Sequence, residues 1–179
     1  NGALAVVLHT CELSDGRGNY WAKKVTQAAI ERLSSQDYAG VLDYGNRGEE
    51  WAIPMQLVGT KSGLLQAIGA LGPGDMPSFH TILDMAEKGL KTVNAALKHI
   101  IIITDGDPSP PTGAVMSNLR AGKVTLSTVL IDAHGGRSGP CMQAMRKLAE
   151  EGGGTAYFCD DPNHLPQIFV KEAALVRKG

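Results

Sequence analysis

His99-Ile100-Ile101-Ile102-Ile103-Thr104-Asp105-Gly106-Asp107-Pro108 is the stretch on which the fold turns. Four consecutive isoleucines are β-branched and apolar on both sides of the chain, as a strand covered on both faces requires. They stop abruptly at a run of turn-forming residues. A buried central strand therefore ends here in a polar loop.

Working outward, strand-like runs alternate with segments of helical periodicity along the whole chain, the pattern of an α/β domain with a mainly parallel sheet. Ala3-Leu4-Ala5-Val6-Val7-Leu8 reads as a first, central strand. Ala22, Val25, Ala29, Ile30 and Leu33 recur at helical spacing over 20–33. Residues 38–44 and 51–58 read as strands joined by Gly45-Asn46-Arg47-Gly48, an antiparallel hairpin at the sheet edge. A short helix over 62–71, the loop 72–77, and a long helix over 78–96 with Ser78 as its cap follow. Beyond the isoleucine strand come a helix over 112–121, a strand over 124–131, a helix over 141–151, a short strand over 155–158 and an amphipathic helix over 164–178. The expected architecture is a three-layer α/β/α sandwich, Rossmann-like, with a mostly parallel six-stranded sheet and one antiparallel edge strand.

The 179 residues suit one domain, and 43% hydrophobic with 20% charged residues is globular. With 17 basic against 18 acidic residues the net charge is −1, so no overall field draws nucleic acid or an anionic membrane. No apolar run approaches the ~20 residues of a membrane helix. The chain opens on Asn1 and reaches its first strand at once, which reads as one domain, 1–179, excised from a longer protein. Cys11, Cys141 and Cys159 are an odd, scattered set with no CxxC pair, unlike a disulfide framework or structural zinc site, though one bridge between two of them stays open.

In open parallel sheets ligands sit beyond the carboxyl ends of the strands, where the strand order reverses. The loops to inspect are His9-Thr10-Cys11-Glu12-Leu13-Ser14, Gly72-Pro73-Gly74-Asp75-Met76-Pro77, and Thr104-Asp105-Gly106-Asp107. Together with the late Glu151-Gly152-Gly153-Gly154-Thr155-Ala156-Tyr157-Phe158 and the final helix bearing Leu165, Ile168 and Phe169, these segments resemble the von Willebrand factor A domain across essentially the whole chain. The resemblance implies a metal-ion-dependent adhesion site made from an Asp-x-Ser-x-Ser motif after the first strand, a Thr in the second loop and the Asp of the fourth-strand Asp-Gly. Only Asp105 matches. The first motif reads His9-Thr10-Cys11-Glu12-Leu13, and Pro77 stands at the Thr position with Ser78 just after it. Magnesium wants close octahedral oxygen coordination, which imidazole, thiol and isobutyl side chains do not supply. The expectation is a degenerate site with weak or absent magnesium and no cofactor. The domain then acts as a non-catalytic protein-interaction module whose partner meets a face bearing His9, Cys11, Asp75, Ser78, Asp105 and Asp107.

Several readings remain open side by side. His9, Cys11 and Asp105 are also a zinc-type donor set, against a filled, metal-free pocket. Cys11 before a helix and near a histidine is a nucleophile pattern, against an inert thiol. Asp105 is a surviving ligand or a turn residue. Asp107-Pro108-Ser109-Pro110-Pro111 is an exposed binding rim or a rigid connector, and Arg137 is plain surface or a contact for an acidic partner. Gly74-Asp75-Met76-Pro77 with Asp105-Gly106-Asp107-Pro108 is similar to the domain of bacterial membrane-anchored proteins in which it neighbours a glutamine-amidotransferase-like region. A membrane-associated parent is what that likeness implies, and a purely structural domain is the rival reading.

Overall fold

The computed structural model describes residues 1–9, 18–45, 47–69, 76–131 and 136–177. Its strands are β1 (Gly2–Leu8), β2 (Tyr38–Gly45), β3 (Gly48–Leu57), β4 (Leu97–Thr104), β5 (Val124–Ile131) and β6 (Gly153–Cys159). Its helices are α1 (Gly18–Arg32), α2 (Ser62–Ile68), α3 (Phe79–Lys91), α4 (Gly113–Ala121), α5 (Pro140–Glu151) and α6 (Leu165–Ala173). The strands form one sheet in the order β3-β2-β1-β4-β5-β6, parallel throughout except for the β2–β3 hairpin. This is the expected three-layer sandwich, with the antiparallel strand at the edge.

Side-chain alternation on the two central strands divides the core. Leu4, Val6, Leu8, Ile101 and Ile103 face one layer, where they pack with Val25 and Ile30 of α1, Leu64 of α2 and Phe169 of α6. Ala3, Ala5, Val7, Ile100 and Ile102 face the other, against Phe79 and Ile82 of α3, Leu119 of α4 and Met145 of α5. All four isoleucines are essentially inaccessible to solvent. That two-sided burial is why the sequence there is continuous rather than alternating.

Three helix limits differ from the sequence expectation. α3 begins as read, with Ser78 Oγ accepting from the His80 N–H at 3.1 Å, but it ends at Lys91 rather than 96. The Thr92 hydroxyl donates to the Gly89 carbonyl at 2.7 Å and closes the helix. The Ala96 N–H then donates to the Asn1 carbonyl, seating the chain beside β1. α2 stops at Ile68, and the final helix is a 3₁₀ turn (Pro162–His164), then α6, then a second 3₁₀ segment (Ala174–Arg177).

Trp21 is 5% exposed and belongs to the core as expected. Trp51 is half-buried in a slot that only glycines leave: a Cβ on Gly40 of β2 or on Gly89 of α3 would lie 2.6 or 2.3 Å from its ring.

Candidate functional site

β1 and β4 are neighbours at the point where strand order reverses, so the residues that follow them share one end of the sheet. The His9 N–H donates to the Ile103 carbonyl at 2.9 Å and carries the ladder one residue past β1. The imidazole is 1% exposed, with Nδ1 2.8 Å from Thr104 Oγ1 and 3.4 Å from Asp105 Oδ1. A proton on Nδ1 serves both neighbours, whereas the other tautomer sets a lone pair against the carboxylate.

The β4 end is a tight polar turn. Thr104 Oγ1 accepts from the Gly106 N–H at 3.0 Å, and Asp105 Oδ1 accepts from the Asp107 N–H at 3.0 Å, the geometry of an Asx turn. Gly106 has φ +95°, and a Cβ there would lie 2.7 Å from Cys141 Cβ and 2.9 Å from Leu130 Cδ1. Glycine is needed both for its dihedral and for the approach of α5. Asp105 thus accepts the hydrogen bond that its turn reading calls for.

The segment before α3 is tied to the same turn. Phe79 N–H donates to the Ser109 carbonyl at 2.9 Å and Ser109 N–H to the Pro77 carbonyl at 3.0 Å, a parallel bridge between Ser78 and Ser109. Ser78, Asp105 and Asp107 are therefore drawn to one end of the molecule, with Asp107 exposed and Asp105 half-buried. Cys11 and Asp75 lie outside the described residues, so the zinc-type trio and the Cys11 nucleophile reading are not described. Among the described residues no group of three His, Cys, Asp or Glu side chains stands close enough to share an ion.

Cys141, at the start of α5, was not singled out from the sequence. It packs on Gly106, and burial, reinforced by the Asp107 and Asp105 carboxylates, pushes its thiol pKa up. No local motif marks it, because only the fold lays α5 over the β4 turn. Cys141 and Cys159 are free thiols.

The proline-rich run is buried at Pro108 and exposed at Pro110. Pro108 is buried, contrary to an exposed stretch, because Ser109 is pinned to the strand-like segment before α3. Pro110 and Pro111 line a cleft of about 330 Å³ whose far wall is Ala144, Lys147 and Leu148 of α5. Arg137 is occupied by its own chain, 4.8 Å over the Phe158 ring and 3.7 Å from Asp160.

Two further polar clusters are the His99 network, toward the opposite end of β4, and the carboxylates of the β2–β3 hairpin. His99 Nδ1 is 2.7 Å from Thr125 Oγ1, its Nε2 is 2.9 Å from Glu172 Oε2, and the Tyr157 hydroxyl donates to Glu172 Oε1. Burial alone raises the Glu172 pKa, but hydrogen bonds from His99, Ser127 and Tyr157 outweigh it, and the net shift is downward. On the hairpin, Asp43 is 5% exposed, and burial, with the Glu50 charge, pushes its carboxyl up to about 6. No described helix is long and apolar enough to cross a membrane.

The von Willebrand factor type A domain model matches residues 3–158. Solved structures that superpose on the chain include a von Willebrand factor type A protein from Catenulispora acidiphila, with TM-score 0.77, 22% identity, and 97% of this chain on 42% of that one. An aerotolerance-related membrane protein from Bacteroides fragilis gives TM-score 0.71 at 14% identity, covering 97% of this chain and 98% of the other. Proximal thread matrix protein 1 from the mussel byssus, with its metal-ion-dependent adhesion motif occupied by zinc, gives 0.72 at 16% identity over 97% and 48%. The chain spans less than half the length of the first of these. No curated protein sequence matches it. The sheet order, the shared end of β1 and β4, and a family match over most of the length converge: the chain belongs to the von Willebrand factor type A domain family.

Proposed function

We propose that this domain is a non-catalytic protein-interaction module with a degenerate adhesion site, and that it meets its partner without a bridging metal. The observation that carries the reading is the His9–Thr104–Asp105 cluster. Where the family pattern has a carboxylate after the first strand, His9 turns an imidazole nitrogen toward Thr104 and Asp105. A nitrogen carrying a proton is no ligand through that atom, and magnesium prefers oxygen in any case. Asp105 accepts a turn hydrogen bond, and the Ser78 oxygen caps α3. This donor set does not fit magnesium, and no step of binding is routed through an ion.

On this reading the partner is a protein that meets the face of His9, Cys11, Asp75, Ser78, Asp105 and Asp107, with Asp107 and Pro110 exposed. The near-neutral net charge favours local recognition of a protein over nucleic acid. We further read the 179 residues as one domain of a longer, membrane-associated parent. The likeness to the Bacteroides fragilis membrane protein supports the membrane association, and the sequence resemblance to proteins that pair the domain with a glutamine-amidotransferase-like region supports the longer parent.

The test is thermal stability of chelator-treated protein with magnesium, manganese or zinc added in turn. A ligand that binds only the folded form at a hundred times its Kd adds about 2.7 kcal/mol. The expected outcome is no rise in Tm that depends on Asp105. A magnesium or manganese shift removed by Asp105→Ala sinks the proposal and restores a metal-dependent adhesion mechanism. A zinc shift removed by His9→Ala and Cys11→Ala replaces it with the zinc reading.

A further inference from the structure

We propose that the closed end of the β2–β3 hairpin is a cation site of the calcium class, held by the carboxylates of Asp43 and Glu50 above Gly45. Asp43 and Glu50 stand directly opposite each other in the antiparallel register. Opposed side chains of such a pair have Cβ atoms about 4.5–5.5 Å apart, and like charges there repel. Gly45 is two residues beyond Asp43, hence on the same face. A Cβ on Gly45 would fall 1.8 Å from Glu50 Oε1 and 2.6 Å from its Cδ, so the Glu50 carboxylate lies in space that only glycine leaves.

A second, independent feature points to a ligand. Asp43 is 5% exposed, and its Oδ1 has no hydrogen-bond partner. A buried carboxylate oxygen without a partner is costly, and here a second carboxylate stands directly across the ladder from it. The charge that acts on Asp43 is that of Glu50, of the same sign. A divalent cation relieves both the orphan oxygen and the repulsion.

The donors are all oxygen, which selects a hard cation. Two carboxylates on neighbouring strands make no octahedral cage, so calcium, which accepts six to eight oxygens in loose geometry with water completing its shell, suits them better than magnesium. Affinity belongs in the weak range of extracellular calcium modules, Kd about 10⁻⁴ to 10⁻³ M. Leu42 pairs with Val7, so Asp43 lies one strand over from Leu8 at the same end of the sheet as His9, but its ligands are not those of the His9–Asp105 cluster and it does not rest on the reading of that cluster.

The experiment is a calcium titration of the chelator-stripped full chain at pH 7.5, followed by Tm, with manganese broadening of amide NMR signals to place the ion. Calcium at about thirty times Kd raises Tm by roughly 5 °C by mass action. Asp43→Asn and Glu50→Gln each abolish the rise and each raise the Tm of the metal-free protein, because each removes the repulsion. Glu50 is half-buried, so Glu50→Gln keeps the test intact if Asp43→Asn fails to fold. Manganese broadens hairpin amides around Asp43 and Glu50 first. No Tm rise, a rise retained in both variants, or broadening centred on His9 and Asp105 overturns the proposal. The last result counts against the metal-free adhesion reading as well, whereas the first leaves that reading standing and reduces the hairpin pair to a shared proton.

Discussion

At the scale of single residues, two positions decide most. Gly106 carries a left-handed φ and a contact with Cys141 that no side chain tolerates. Gly106→Ala is expected to cost about 1–3 kcal/mol in urea denaturation, from strain plus overpacking. Asp105 is a turn acceptor, so Asp105→Asn, which keeps that acceptor, should shift stability by less than about 1 kcal/mol, while Asp105→Ala loses the turn bond and costs about 1 kcal/mol. Asp43 has the opposite character. Its folded pKa, about 6, lies above the unfolded 3.8, so the folded state holds a proton that the unfolded chain has released. The Asp43 contribution to the stability of the metal-free protein therefore falls as pH rises from about 4 to 6 and stays lowered above that window. Asp43→Asn should recover on the order of 2 kcal/mol at pH 7.5, read as a rise in denaturation midpoint that vanishes at pH 4.

At the scale of elements, α6 is fastened to the sheet by one buried polar network. Glu172 of α6 meets His99 of β4 and Tyr157 of β6, and His99 meets Thr125 of β5. The folded pKa of Glu172 is depressed, so its contribution is present above the ordinary carboxyl value and is lost as pH falls through the lower folded value. Glu172→Gln should flatten the acid limb of the stability profile and cost about 3 kcal/mol at neutral pH, because the Tyr157 and His99 partners lose a charged acceptor. Hydrogen exchange at pH 4 should open the amides of α6 before those of β4. None of these partners is adjacent in sequence, and a lone His99 before four isoleucines reads as a strand residue. The same holds for Trp51, whose slot is made by one glycine from β2 and one from α3.

At the scale of the whole molecule, the fold brings the β1 end, the start of α3, the β4 turn and the start of α5 to one end, while the hairpin carries Asp43 and Glu50 at the sheet edge. Binding of a protein partner at the first of these is expected to survive chelator and to weaken at least tenfold in Asp107→Arg, measured by titration calorimetry, since Asp107 is an exposed charge of that face. The sequence by itself determined the layer architecture, the edge hairpin, the Ser78 cap and the departure of His9 from the family pattern. The first three rest on periodicity, turn chemistry and residue type, all local to a few neighbouring positions, and the last on the resemblance to the family. Only the tertiary structure decided that Asp105 Oδ1 accepts from the Asp107 N–H, that Pro108 is buried, that Cys141 packs on Gly106 and that α3 closes at Thr92. It alone set Glu50 over Gly45 and left Asp43 Oδ1 without a partner. The physical reason is range: each of these depends on contacts between elements, or on which backbone group a side chain finds first, and no periodicity encodes either.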